Sequence, residues 1–205
     1  MPSKVTCFWL EPTLDAQVLY RRYVSSAGRS EECGVARVPY EGHAPAVWGY
    51  HTAQVAIERR PRGADDAGHP PTDAEKADPR WPTHCDCGYA FAPEDNWQVN
   101  VHTLYSSPQK NLLLCTLHDA PAGAMWDAPW FHGHGGGHPR NPDGLYLVVR
   151  TPAGDWLVDG PATNGPGWTR TGTPPLVTAN PSIGFGNPMH MHGWLRNGVL
   201  EIDTP

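Results

Sequence analysis

The sequence predicts an α+β fold that is mainly β, with short antiparallel hairpins, one N-terminal helix and a zinc-knuckle-like turn. Three observations lead to this prediction. The 205 residues are enough for one domain with a substantial core. The 22 glycines and 23 prolines favour many short strands separated by turns. The nine tryptophans supply bulky side chains that can anchor such a core.

The N-terminal region is predicted to run as strand, helix and strand. Residues 4–10 carry the apolar and β-branched side chains of a first strand. Thr13 can cap a helix over residues 14–24. In that helix four side chains would lie roughly on one face: Leu14, Val18, Leu19 and Tyr23. Residues 47–58 indicate a strand or a short amphipathic segment.

Residues 60–80 have the composition of a linker, because they are rich in Pro, Asp, Gly and Ala. Within them, Thr72 and Glu75 have the spacing of a capping box, which predicts one helical turn. The linker separates an N-terminal region, residues 1–59, from a β-rich main region, residues 81–205. We expect the whole chain to form one compact domain.

The C-terminal half is predicted to consist of β-hairpins. Three strand pairs flank turn residues: 97–105 with 112–117, 145–150 with 156–159, and 193–195 with 199–202. The third pair turns at Asn197-Gly198, and Asn-Gly is the strongest short-range signal for a hairpin. Residues 119–144 form a long Gly/His/Pro loop, and a loop of that length is typically functional or disordered.

The charge and hydropathy of the chain argue against two classes of protein. A formal net charge of −6 with scattered Lys and Arg side chains argues against a nucleic-acid-binding protein. No apolar run approaches the roughly 20 residues that span a bilayer. The N-terminus lacks the layout of a signal peptide. We therefore expect an intracellular protein, or one carried inside a larger assembly, that binds neither membranes nor nucleic acid.

A histidine and two thiols lie together at His84-Cys85-Asp86-Cys87-Gly88. Two thiolates in a tight turn closed by glycine suit one edge of a tetrahedral zinc site, although the usual spacing is Cys-x-x-Cys. His84 with Cys87 restores that spacing. Further ligands must come from elsewhere, and the candidates are Cys7, Cys33, His51, Cys115 and the C-terminal histidines, including His190. The alternatives are a pair of buried or oxidisable thiols, or a catalytic cysteine.

A second group of histidines lies in the long loop, at His132, His134 and His138. Three imidazoles can bind a transition metal or carry protons near neutral pH. No carboxylate has a fixed spacing that would hold these rings, and metal sites need such orienting groups. We therefore interpret this segment as a solvated loop.

The last quarter of the chain carries a serine and a histidine within about ten residues of each other. Ser182 is predicted to lie in a turn bounded by Pro181 and Gly184, and His192 begins the last hairpin. A hydroxyl and an imidazole in one place are the parts of a Ser/His hydrolase, with the imidazole as general base. The alternative is that the serine only shapes a turn.

Two further parts of such a site have candidates. The backbone N–H groups of Ile183 and Gly184 can contribute to an oxyanion hole. Asp159 and Asp203 are both candidates for the acid that orients the imidazole, and the spacing does not choose between them.

Short blocks spread over nearly the whole chain carry a resemblance to a known family. They are F-W-L-E-P-T at 8–13, G-Y-H at 49–51, W-P-x-H-C-D-C-G-Y-x-F at 81–91, D-x-W-Q at 95–98, D-A-P-A-G-A-M-W at 119–126, P-D-G-L at 142–145, P-A-G-D-W-L-V-D-G-P-A at 152–162 and H-G-W-L-R-N-G at 192–198. These blocks are similar to uncharacterised proteins of tailed bacteriophages, many of which infect actinobacteria. The resemblance implies a phage gene product, located in the host cytoplasm or the virion, without an assigned activity.

Three of the segments resemble a second family: C-x-C-G at 85–88, P-S-I-G at 181–184 and H-G-W-L at 192–195. That family comprises zinc-containing proteins assigned as serine peptidases and encoded beside bacterial ubiquitin-like conjugation genes. The resemblance implies a hydrolase with a structural zinc ion and a protein or peptide substrate.

Carried over residue by residue, the second resemblance assigns Ser182 as nucleophile and His192 as its partner. It assigns Cys85 and Cys87 as metal ligands. The family's late cysteine has no counterpart in this chain, so His190 would have to take its place.

The sequence therefore predicts a phage-encoded, zinc-stabilised Ser/His hydrolase, either a peptidase or an isopeptidase. The alternative is a non-catalytic virion component or host-factor-binding protein in which a structural zinc knuckle only shapes the fold. A Ser182 hydroxyl within hydrogen-bonding distance of the His192 ring favours the hydrolase. A buried hydroxyl bonded to the backbone favours the alternative.

Overall fold

Antiparallel strands dominate the structure, which is a computed structural model that describes residues 3–26, 35–37, 47–63, 68–85, 88–110, 112–131, 143–160, 167–185 and 191–203. The strands are β1 (Ser3–Thr6), β2 (Phe8–Trp9), β3 (Glu11–Ser26), β4 (Val35–Arg37), β5 (Val47–Pro61), β6 (Asn96–Ser107), β7 (Leu112–Cys115), β8 (Ala124–Asp127), β9 (Leu147–Thr151), β10 (Gly154–Leu157), β11 (Thr169–Thr173), β12 (Leu176–Phe185), β13 (Met191–Arg196) and β14 (Val199–Asp203). One short α-helix, α1 (Asp73–Lys76), and two 3-10 turns, Pro108–Lys110 and Pro129–Phe131, complete the elements of the described residues. The prediction of a mainly β fold is confirmed.

The chain forms two compact units. The first comprises Met1–Pro12 and Tyr105–Pro205, and the second comprises Thr13–Leu104. In the first unit, one sheet has the strand order β1-β14-β13-β12-β11 and another has the order β10-β9-β8-β2. In the second unit, β3 pairs antiparallel with β5, and β5 pairs antiparallel with β4. Within the part of the chain that is described, no helix is long and apolar enough to cross a membrane.

The two sheets of the first unit share one apolar core, because alternate residues of each strand point inward. Its most buried members come from both sheets: Met125, Leu147, Val149, Val158, Val177, Ile183, Leu195 and Leu200. The opposite face of the second sheet is also covered, by a cluster that includes Phe8, Trp126, Tyr146 and Val148. The first sheet therefore has one face against the core, and its other face carries the exposed positions of β13.

The predicted N-terminal helix is wrong, because residues 14–24 lie in strand β3. Buried residues recur at every second position of this strand, at Ala16, Val18, Tyr20 and Arg22, which is the period of a half-buried strand. Leu19 is buried as well, at the point where the pairing with β5 is irregular. Leu14, which the helical interpretation placed on the apolar face, is 86% exposed. The alternation was hidden in the sequence because one of the inward positions is an arginine.

Arg22 is buried because aromatic rings and carbonyl groups surround its guanidinium. The guanidinium lies 3.9 Å from the ring centre of Trp97 and 4.9 Å from that of Phe91. It also donates hydrogen bonds to the backbone carbonyl groups of Pro82 and Ala92. Cation–π contacts and carbonyl acceptors together make a buried cation tolerable.

The short helix of the linker forms as predicted. Glu75 N–H donates to Thr72 Oγ1 at 3.3 Å, and Thr72 N–H donates to Glu75 Oε2 at 2.7 Å. These reciprocal bonds are a capping box, and they start the single turn of α1.

The three predicted hairpins are present as antiparallel pairs: β6 with β7, β9 with β10, and β13 with β14. Strands β4, β8, β11 and β12 were not predicted. The histidines at 132, 134 and 138 lie outside the described residues.

The last hairpin turns at Asn197 and Gly198, whose φ angles are 45° and 73°. Two positive φ angles define the tight turn whose twist matches that of the flanking strands. Three bonds anchor this turn: Asn197 N–H donates to Thr178 Oγ1, Gly198 N–H donates to the Val177 carbonyl, and Cys7 N–H donates to the Gly198 carbonyl. The turn therefore fixes β13 and β14 against β12.

Replacing Gly198 with valine should destabilise the protein by about 1–3 kcal/mol, because a side chain strains the left-handed backbone. A Cβ atom at this position would also lie 2.5 Å from the Pro175 carbonyl oxygen. Gly184→Ala is the matched control, since a Cβ atom there meets nothing within 4 Å. Denaturant unfolding measures both variants, and equal stability of Gly198→Val and wild type would contradict the role of the turn.

Candidate active site

The serine predicted as a nucleophile lies in a strand and not in a turn. Ser182 belongs to β12, where the pairing with β13 is irregular: Ala179 pairs with Leu195, and the next pair is Ile183 with Gly193. The three intervening residues of β12 thus lie opposite one residue of β13. The residue before Ser182 is a proline, which has no N–H for the ladder and favours such an irregularity. The predicted turn at this serine is therefore wrong.

Three polar side chains form a row across β12, β13 and β14. Ser182 Oγ lies 2.9 Å from His192 Nε2, which is a hydrogen-bonding distance. His192 Nδ1 lies 3.5 Å from Asp203 Oδ2, which is within ion-pair distance. We call Ser182, His192 and Asp203 the Ser–His–Asp row. Its order of hydroxyl, imidazole and carboxylate is the order that nucleophilic catalysis by serine requires.

The strand register explains why the row forms. His192 pairs with Asp203 across β13 and β14, and it pairs with Gly184 across β13 and β12. Directly opposite residues on one face have side chains about 5 Å apart, which is close enough for contact. The burial pattern of β13 alternates, with Met191 and Gly193 buried and His192 exposed between them. The row therefore lies on the face of the sheet that does not contact the core.

The backbone that carries the row is held from the core side. Ile183 is only 2% exposed and packs in the apolar core next to Ser182. The indole N–H of Trp168 donates to the Ser182 carbonyl oxygen at 3.3 Å. Gly193 leaves no room for a side chain, because a Cβ atom would lie 2.6 Å from the Glu201 carbonyl oxygen. The row thus rests on a rigid support although its own side chains reach solvent.

The face of the sheet around Ser182 exposes the other two members of the Ser–His–Asp row. His192 and Asp203 have side chains that are 50% and 52% exposed. Gly184 lies directly opposite His192, and a Cβ atom on it would meet nothing within 4 Å. Among the described residues, nothing fills the position beside Gly184, which lies two residues after Ser182 on the same strand.

The two predicted oxyanion donors, Ile183 and Gly184, follow the serine along β12. In an antiparallel ladder, consecutive residues direct their N–H groups to opposite sides of the strand. One of these two N–H groups therefore points toward β13 and the other away from it. The named pairs of β11 with β12 end at Asn180, before either residue. The assignment of the oxyanion donors stays a prediction.

Asp159, the other acid that the sequence proposed for the histidine, has a different partner. Its side chain is 1% exposed, and Oδ1 accepts from Arg170 Nε at 2.7 Å. Its second oxygen accepts from Leu147 N–H at 2.7 Å. The Arg170 guanidinium also binds Asp143 through two hydrogen bonds of 2.6 and 2.7 Å, which lower the pKa of that carboxyl. Asp159 therefore belongs to a buried ion-pair network, and Asp203 is the acid beside His192.

The predicted zinc knuckle is described only in part. Cys85 begins a hairpin turn, in which Gly88 N–H donates to the Cys85 carbonyl at 2.8 Å and Cys85 N–H donates to the Tyr89 carbonyl at 2.9 Å. Gly88 has a positive φ of 90°, a backbone conformation that favours glycine. Two of the predicted zinc ligands, Cys87 and His190, lie outside the described residues.

His84 and Cys85 are not brought together by the structure. His84 forms an isolated antiparallel bridge with Ala90, and consecutive residues in such extended backbone point to opposite sides. His84 is accordingly exposed, whereas Cys85 is buried against Phe91. Among the described residues, no three His, Cys, Asp or Glu side chains lie close enough together to hold a metal ion. The zinc site stays a prediction, and of its predicted ligands in this turn the structure describes His84 and Cys85.

Two other thiols that the sequence offered as ligands lie in apolar surroundings. Burial raises the pKa of Cys7 to about 12, and burial also raises the pKa of Cys115. Neither thiol belongs to a group of three candidate metal ligands among the described residues.

The sequence analysis missed Trp194, which contacts the row. Its ring centre lies 4.6 Å from that of His192, and the two ring planes meet at 80°. Trp194 follows His192 by two residues on the same strand, and the strand period of two places both on the exposed face. The alternation outward from the Asn-Gly turn was the signal that could have identified it.

Comparison of the chain with protein-family models, curated proteins and solved structures finds no match in any of the three.

Alanine variants of the two candidate acids, Asp203 and Asp159, should have different effects on probe labelling and on stability. Asp203→Ala should lower the reactivity of Ser182 toward a phosphonate probe by about 10-fold or more, because the imidazole loses its carboxylate. Its half-exposed ion pair should contribute no more than about 1 kcal/mol to stability.

Asp159→Ala should do the reverse and destabilise the fold by about 3–5 kcal/mol, because it leaves the buried Arg170 without one carboxylate. Probe-labelling rates at a temperature where both variants are folded, together with denaturant unfolding, provide the measurements. A normal labelling rate in Asp203→Ala would remove this residue from the site.

Proposed function

We propose that this protein is a serine hydrolase in which Ser182, His192 and Asp203 carry out acyl transfer to water. The observation that supports the proposal is the 2.9 Å distance between Ser182 Oγ and His192 Nε2, with Asp203 on the far side of the ring. Geometry of this kind brings the nucleophile and its base within the distance needed for proton transfer. Among the described residues, the unfilled position beside Gly184 leaves room for a substrate.

In the first step, His192 Nε2 accepts the proton of Ser182 as Oγ attacks the acyl carbon. His192 then carries a positive charge, which the carboxylate of Asp203 stabilises through Nδ1–H. The imidazolium next gives its proton to the leaving group, and an ester of Ser182 remains. Water then enters, gives a proton to His192 and attacks the ester. His192 returns that proton to Ser182 Oγ as the acid is released, which restores the serine and the neutral imidazole. Of the two predicted oxyanion donors, Ile183 and Gly184, the proposal uses the one whose N–H group points away from β13.

The substrate class within acyl transfer follows from the resemblance of C-x-C-G, P-S-I-G and H-G-W-L to the zinc-containing serine peptidases. We propose a peptide or isopeptide bond in a protein substrate, within the life cycle of a bacteriophage. The exposed position of His192 and Asp203 fits such a substrate, because a large chain can reach a site on an open sheet face. The proposed zinc ion has a structural role near Cys85 and takes no part in the reaction.

A fluorophosphonate probe tests the nucleophile. Wild-type protein should gain one probe adduct, and peptide mapping should place it on Ser182. Ser182→Ala should remain unlabelled, and His192→Ala should react at least about 100-fold more slowly, because the base is lost. Labelling of the wild type should rise with pH across the range in which imidazoles lose their protons.

Ser3→Ala is the matched control, because Ser3 is an exposed serine on a strand of the same unit. It should label at the wild-type rate. Adduct formation that persists in Ser182→Ala, or its absence in the folded wild type, would contradict the hydrolase. The second result would favour the non-catalytic virion component or host-factor-binding protein.

Metal analysis of purified protein tests the zinc proposal separately. We expect about one zinc ion per chain, retained at neutral pH and lost in Cys85→Ser, because thiolate ligands hold zinc most tightly. Cys115→Ser is the control, and it should keep the metal, since Cys115 lies on β7 and outside the turn of the predicted knuckle. Fully folded wild-type protein that contains no zinc after expression in zinc-supplemented medium would reject the knuckle.

A further inference from the structure

The imidazole of His192 needs support beyond its carboxylate. His192 and Asp203 are both half exposed, and 3.5 Å separates Nδ1 from the carboxylate oxygen. An exposed ion pair of this length contributes little energy, commonly about 0–1 kcal/mol, against the rotamer freedom of both side chains. Such a pair alone leaves the ring free to turn Nε2 away from Ser182.

Trp194 provides a second contact to that ring. The ring centres of Trp194 and His192 are 4.6 Å apart, and the planes meet at 80°. This edge-to-face arrangement is the preferred geometry for aromatic pairs and contributes about 0.5–1.5 kcal/mol beyond the area it buries. The contact is directional, so it favours one orientation of the imidazole over the others.

Trp194 is in turn held by charged side chains on the same face of the sheet. The Arg196 guanidinium lies 5.3 Å from the indole centre, and Arg196 Nη1 lies 3.2 Å from Glu201 Oε2. Glu201 pairs with Trp194 across β13 and β14, and its other oxygen lies 2.8 Å from Lys4 Nζ. The hydrogen bond from Lys4 lowers the pKa of Glu201. The carboxylate therefore keeps its charge across the pH range in which imidazoles titrate.

We propose that Trp194 is a positioning residue that orients the imidazole of His192 toward Ser182, with Arg196, Glu201 and Lys4 as its support. This inference rests on the proposed hydrolase function. The contact that Trp194 makes within the row is with the imidazole of His192. Its effect passes entirely through the orientation of His192, so a loss of the aromatic ring should reduce the rate without removing the nucleophile or the base.

The test compares two substitutions of one residue. Trp194→Leu keeps an apolar side chain and removes the ring contact, whereas Trp194→Phe keeps a ring that can meet the imidazole. Trp194→Leu should lower the rate of phosphonate labelling by about 10- to 100-fold, since small misplacements of a reacting group have effects of this size. Trp194→Phe should stay within about 3-fold of the wild type. If Trp194 only filled space in the fold, an aromatic ring at this position would not restore the labelling rate.

Trp130→Leu is the matched control, because Trp130 is an exposed tryptophan in the 3-10 turn Pro129–Phe131 and not on the sheet that carries the row. It should label like the wild type. Arg196→Gln supplies a variant at an exposed position and should lower the rate by about 3-fold through its contact with the indole. If Trp194→Leu does not fold, the labelling rate of Arg196→Gln tests the role of Trp194.

Failure of this inference and failure of the hydrolase proposal give different results. Ser182-dependent labelling of the wild type with an unchanged rate in Trp194→Leu, or in Arg196→Gln where Trp194→Leu does not fold, overturns only the role of Trp194. A rate as low in Trp194→Phe as in Trp194→Leu also overturns it. Absence of labelling in the wild type overturns the hydrolase and the inference together.

Discussion

The register of the last hairpin is the constraint on which the candidate site depends. Asn197 and Gly198 form a two-residue turn with positive φ angles, and the pairing outward from it places His192 opposite Asp203. Side chains alternate between the two faces of a strand, so a shift of one residue would turn the imidazole toward the core. The turn is bonded to β12 through the Val177 carbonyl, which fixes the third strand as well. One short turn thus determines which groups can meet on the exposed face.

The candidate site combines a buried backbone support with exposed polar side chains. On the core side, Ile183 is buried next to the serine, and Gly193 approaches the neighbouring backbone too closely for any side chain. On the other side, a Cβ atom at Gly184 would meet none of the described atoms within 4 Å. The carboxylates of Asp143 and Asp159 already bind the Arg170 guanidinium, so neither belongs to the Ser–His–Asp row. The acids that neutralise the buried arginine are therefore different from the acid of the proposed reaction.

Much of this arrangement could be predicted from the sequence, and the failures have specific causes. Asn-Gly predicted the last hairpin, and counting outward from it pairs His192 with Asp203, so the choice of acid was available from the turn alone. The strand at residues 14–24 was mistaken for a helix because the buried Arg22 breaks its apolar alternation, and the rings and carbonyl groups around the guanidinium explain that burial. Ser182 was assigned to a turn because Pro and Gly mark bulged strands as well as turns.

The tautomer of His192 in solution tests the central claim most directly. If Nδ1–H donates toward Asp203 and Nε2 accepts from Ser182, nitrogen chemical shifts at neutral pH should identify a protonated Nδ1 and an unprotonated Nε2. In Asp203→Ala this preference should weaken, because the carboxylate that selects the tautomer is gone. A neutral ring with its proton on Nε2 in the wild type would contradict the account, since that nitrogen could not accept the serine proton.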